Sequence, residues 1–232
     1  MVQVNNAPIN LRIKFKKVGG LQYISHLDLV RTMHKVIVRA GLPLWYTEGF
    51  NPKPKMVFAA PLSIGTESVS EFLDIRLTER IPTEEAIERL NKNMAGEIQA
   101  LSAYYPESKL TDLKWLSYTI LIKTAFADSA LSEKCERVLL DECVEVKKRA
   151  KSGDEVTVNI RPLIKSAKCV FDGDVIRVSC VLSADPSAYL NPEYVVKALR
   201  EKCGILADAD LTKEYYSVMR ENAYFSDMTE FR

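Results

Sequence analysis

The chain has 232 residues, of which 47% are apolar and 27% charged, with a formal net charge of +1. That is the balance of an ordinary globular protein with room for two domains of about 110 residues, and it excludes disordered, collagen-like and disulfide-scaffold classes. No apolar run approaches the roughly 20 residues of a membrane helix, and MVQVNNAPIN lacks the charged and apolar regions of a signal peptide. Five cysteines (Cys135, Cys143, Cys169, Cys180, Cys203) lack zinc-ligand spacing and read as buried free thiols of a reducing cytoplasm.

Leu11 to Lys16 alternates apolar and basic, the period of a half-buried strand, and Gly19-Gly20 ends it. Ser25 is a good N-cap, with Asp28 three residues on as a capping-box variant. Leu27, Val30, His34, Ile37 and Val38 follow at helical spacing and are taken as the core stripe, and Gly41-Leu42-Pro43 stops the helix. Met56 to Ala60 reads as a strand. Phe72 to Leu77 is another, with Leu73, Ile75 and Leu77 on one face. Pro82-Thr83-Glu84-Glu85 opens a second helix with a core face of Ile87, Leu90 and Met94, and Leu101 to Tyr105 is a short strand. The order β-α-β-β-α-β is the ferredoxin-like unit.

Pro106 to Lys109 is turn-rich, and the boundary is placed after it, giving domains 1–112 and 113–232. The plan then returns: strand over Leu116–Phe126, helix from Leu131 to about Lys148, strand over Val156–Ile160, and a hairpin turn at Asp172-Gly173 leading into Ile176–Leu182. A helix over Pro192–Leu199 capped by Gly204 and a strand over Tyr215–Met219 complete it. The expected fold is α+β, two tandem ferredoxin-like domains with antiparallel sheets.

Charge is not evenly spread. Residues 1–60 carry nine Lys/Arg against two acids, a net of +7, which leaves −6 for residues 61–232. Asp28, Arg31, Lys35 and Arg39 share one helix face, and the loop Asn51-Pro52-Lys53-Pro54-Lys55 adds two lysines on a proline-restricted backbone. Arg12, Lys14 and Lys16 point away from the helices, onto the sheet face that ferredoxin-like RNA binders use. Any single cation there is more simply a solvated side chain, and Arg12 or Lys14 could pair with Asp74 across the sheet. Coincidence of helix, strand and loop cations favours an anionic partner. Phe72 is the one outward aromatic on its strand, so phosphate-backbone or shape recognition is expected rather than base stacking on the sheet.

His26 lies in the first turn of the helix, where free N–H groups and the helix dipole suit an anion held by His26, Arg31 and Lys53. The plainer reading is a cap histidine touching its own loop. Tyr23, Tyr46, Glu48 and Asn51 could line the same pocket, with Gly49 permitting a positive φ. His34 reads as a core histidine. Cluster, nucleotide-loop and metal-carboxylate motifs are missing, so no cofactor or metal is expected.

The blocks Tyr23-Ile24-Ser25-His26-Leu27-Asp28-Leu29, Arg39 to Pro43, Tyr46 to Lys55, Pro61 to Gly65 and Glu71 to Asp74 resemble the radical SAM-linked protein family, with Asn159 to Ile164 matching more weakly. That family is a domain of unknown function beside, or fused behind, a cobalamin-binding-type radical SAM enzyme. The resemblance implies a radical SAM partner and supplies no catalytic residues. A looser, fold-level similarity is to CRISPR RNA-processing endoribonucleases.

The leading expectation is a non-enzymatic, cytoplasmic accessory protein that binds tRNA or rRNA, or presents substrate, through Tyr23, Ser25, His26, Asp28, Arg31, Lys35, Asn51, Lys53 and Lys55. The alternatives are a ribonuclease-like or anion-processing enzyme with His26 as general acid/base, and a protein–protein adaptor docking through its acidic half.

Overall fold

The computed structural model describes residues 7–149, 153–208 and 210–232, so the first six residues of the N-terminal stretch read above lie outside it. Among the described residues the fold is mixed α+β, with four α-helices and antiparallel strand pairing throughout the registers given. Residues divide into two compact units, one running to Asp112 and including Arg232, the other Leu113–Phe231.

The first unit contains β1 (Ile9–Lys17), α1 (His26–Arg39), β2 (Met56–Phe58), β3 (Thr66–Leu77), α2 (Thr83–Asn91) and β4 (Ile98–Tyr104), with a 3-10 turn at Gly19–Tyr23. Its strand order is β4-β1-β3, with β2 also on β3. Alternation along β1 puts Leu11, Ile13 and Phe15 on the helix side, all at zero exposure. Leu73, Ile75 and Leu77 of β3 join them, as do Met33 and Ile37 of α1 and Ala86 and Leu90 of α2. Ile87 and Met94 pack at the edge of this core.

Two expectations about α1 are corrected. Its buried residues are Leu29, Met33, Val36 and Ile37, whereas Leu27 and Val38 are exposed and His34 is half-buried. The helix carries two apolar stripes at valid spacing. Arg31 interrupts the one beginning at Leu27, while the one beginning at Leu29 holds the neutral Thr32 and no charged residue, and the sheet takes the stripe that desolvates no charge.

The second unit contains β5 (Trp115–Lys123), α3 (Ser129–Leu140), β6 (Glu145–Arg149), β7 (Glu155–Asn159), β8 (Ile164–Asp172), β9 (Val175–Ser183), α4 (Glu193–Cys203) and β10 (Tyr215–Tyr224). Its strand order is β10-β5-β9-β8, with β6 and β7 forming a separate ribbon. The expected helix to Lys148 stops at Leu140, because residues 145–149 pair with β7 and bury Val146. Lys and Glu are good helix formers, which disguised this strand. Asp172 pairs with Val175, so the hairpin tip is Gly173-Asp174, with Gly173 at φ +69° as a two-residue turn with glycine first requires. Four of the cysteines are buried, and Cys143 is exposed.

Candidate nucleic-acid interface

Ser25 caps α1 as expected: its hydroxyl accepts from the Asp28 N–H at 3.1 Å and donates to the Asp28 carboxylate at 2.8 Å. Asp28 also accepts from Arg31 at 3.0 Å. Its carboxyl is held below the usual carboxylate range, first by the Ser25 hydroxyl and then by Arg31. Asp28 thus brings its own anion to the helix N-terminus. The Arg31–Asp28 pair is well exposed, and such a pair is readily exchanged for an external phosphate.

The approach to the helix is anchored from below. The Gly19 N–H donates to Glu67 at 2.6 Å and the Gly20 N–H to Glu97 at 2.9 Å, while the Lys17 ammonium donates to the Gln22 carbonyl at 3.1 Å. The Gly65 N–H donates to the Gln22 carbonyl at 3.0 Å, which sets the exposed Tyr23 beside Gly65. His26 sets its ring edge-on against Phe58, centroids 5.4 Å apart. The imidazole is thereby oriented by an aromatic ring. Among the described hydrogen bonds no carboxylate orients it, as a general base would require.

The lysine loop is built at the other end of α1. Leu44 bridges to Leu77, the Thr78 N–H donates to the Pro43 carbonyl, and the Arg76 N–H donates to the Lys55 carbonyl. The loop therefore leaves the sheet at the Leu77 end of β3, whereas His26 packs on Phe58, which pairs with Leu73. Four residues of strand, about 13 Å, lie between those levels. Arg31, Lys35 and Arg39, all exposed, make a ladder of about 6 Å steps along α1, and Lys53 and Lys55 are exposed on the loop that follows it in the chain. Among the described residues no ion pair involves Lys35, Arg39, Lys53 or Lys55. Asn51 lies exposed near the loop tip.

The sheet face contributes less than expected. Arg12 is at zero exposure. Its Nε and Nη2 contact the Asp74 carboxylate at 2.7 and 3.0 Å, and its Nη1 donates to the Ser108 hydroxyl at 2.8 Å. Phe72 is buried, with the Lys14 ammonium 5.9 Å from its ring centroid. Arg12 and Phe72 are therefore removed from any open binding face. A strand pattern reports which side a residue takes, not whether that side meets water.

Phe50 is the residue in this region that periodicity does not flag. Its ring is wholly exposed at the loop tip. The available signal is its setting, Gly49-Phe50-Asn51-Pro52, where neither a helical nor a strand pattern could bury it.

A family model described as "Uncharacterized protein conserved in bacteria (DUF2344)" matches residues 10–192. The chain belongs to that family. No curated protein matches it. Among solved structures it is similar to a chain of a Cbf5-Nop10-Gar1 complex, at 13% identity and TM-score 0.47, covering 92% of this chain and 48% of that one. The DUF2344 chain thus spans about half the length of that structure. It is also similar to an unknown protein from Galdieria sulphuraria, at 10% identity and TM-score 0.25, covering 92% and 99%.

Proposed function

We propose that this DUF2344 protein is a non-catalytic RNA-binding accessory protein of the cytoplasm, built on two tandem ferredoxin-like domains, which holds tRNA or rRNA for a partner radical SAM enzyme. The observation that carries the RNA reading is the exposed row Arg31, Lys35 and Arg39 together with Lys53 and Lys55. A small anion is served by converging donors, whereas cations spaced along a helix and loop suit a polyanion. The ferredoxin-like reading is supported by the strand order, since both units place their first and third main strands between the fourth and second. The partner follows from the motif resemblance between Tyr23 and Asp74.

Filter binding of total cellular RNA across a salt series tests the proposal. Four phosphate contacts on single-stranded RNA give a slope of log affinity against log salt of about −3. The double variant Arg31→Glu/Lys53→Glu weakens binding and flattens the slope. Binding that is absent, or independent of salt, overturns it.

A further inference from the structure

Phe50 occupies the centre of a five-residue tip, Glu48 to Pro52, whose base is closed by three contacts. Tyr46 bridges to Pro54, the Thr47 N–H donates to the Lys53 carbonyl at 3.0 Å, and the Lys53 N–H donates to the Thr47 hydroxyl at 3.2 Å. Pro54 is buried at the foot, and Gly49 takes φ +121°, a conformation closed to most side chains, immediately before the ring. The tip is thus pre-shaped, and it holds the Phe50 ring at 111% relative exposure between the half-exposed Tyr46 on one flank and Lys53 and Lys55 on the other. A lone surface aromatic carries no message by itself. Phe126 shows the difference: it is 95% exposed, but the nearby Lys123 is engaged by Asp174 at 2.9 Å.

We infer that Phe50 is a stacking platform for an unpaired base of single-stranded RNA, with Lys53 and Lys55 taking the phosphates on either side of that nucleotide. The inference rests on the RNA-binding reading above and specifies its substrate class as single-stranded rather than duplex RNA. An aromatic face accepts any base and needs the base out of its helix, while adjacent ammonium groups track the backbone. Closure of the loop base and its two prolines lower the ordering cost of presenting the ring. Phe50 has no apolar neighbourhood to lose on binding.

Fluorescence anisotropy of the full chain with a labelled oligouridylate and with a labelled RNA duplex decides the matter. The wild type should prefer the single strand. Phe50→Ala should lower single-strand affinity by about tenfold, leave duplex affinity unchanged, and keep the salt slope, because no phosphate contact is removed. Phe50→Trp should retain the affinity, and Phe126→Ala should bind as wild type. If Phe50→Ala matches wild type while Lys53→Glu still weakens binding, stacking is overturned and the RNA-binding reading stands. An equal loss on both RNAs overturns stacking as well. If the wild type binds neither RNA, the RNA-binding reading fails and this inference falls with it.

Discussion

Two glycines side by side show how much a single position can carry. Gly19 sits at φ +63°, and a Cβ added there would meet the Glu97 carboxylate oxygen at 2.2 Å, whereas Gly20 has an ordinary φ and its nearest neighbours at 3.8 Å. Gly19→Ala is therefore expected to cost about 1–2 kcal/mol and Gly20→Ala far less, measured by urea unfolding. Arg12 makes the same point for charge. Its side chain is fully buried against an Asp74 side chain of 12% exposure, so Arg12→Met strands a carboxylate and should cost about 3 kcal/mol. The double variant Arg12→Met/Asp74→Leu should recover much of that loss, since an ion pair removed whole leaves no buried charge behind. A double variant no more stable than the single one would show that Arg12 acts through packing and its contacts to Ser108. At these positions the sequence showed residue type and side of the strand. It did not show that Arg12 and Phe72 are dry, because dryness depends on what lies over the face.

Loops in the second unit depend on Glu214, which precedes β10. Its buried carboxylate accepts from the Thr124 hydroxyl at 2.5 Å and from the Ala125 and Asp208 N–H groups at 2.6 Å each. These bonds, the Thr124 hydroxyl first, hold its carboxyl below the ordinary carboxylate range. A folded-state value below the unfolded one means stability present above about pH 4.3 and lost as pH falls through the folded value. Glu214→Gln turns an N–H donor toward the Asp208 N–H and should cost about 1–3 kcal/mol at neutral pH. The gap to wild type should narrow as pH drops below about 4, as read by thermal unfolding across an acid series. At the scale of a helix, α1 shows what pattern reading misses. Both of its apolar stripes satisfy the helical period, and only the absence of an interrupting arginine marks the buried one. The cationic face of Arg31, Lys35 and Arg39 was legible because charge has to find water unless it is paired.

Over the whole molecule the decisive asymmetry is electrostatic, +7 in residues 1–60 against −6 in the remainder. That division belongs to composition and would survive almost any arrangement of side chains. Strand and helix order was legible for the same kind of reason: period-2 and period-3.6 patterns, the Ser25 cap and the Gly204 stop are local, and local physics set them. β6 escaped because Glu145, Lys147, Lys148 and Arg149 have no local preference for a strand, and only pairing with β7 makes one. Long-range pairing likewise decided the candidate interface. The cations were all readable in order along the chain. The registers Phe58 with Leu73 and Leu44 with Leu77 set the level at which the loop leaves the sheet, about 13 Å of strand from Phe58. The sequence by itself determined which residues could meet an anion, since charge and chain stiffness are properties of each segment. Tertiary structure alone decided that Arg12 is spent on Asp74 and that Phe72 is covered, since burial and distance arise only when distant segments are brought together.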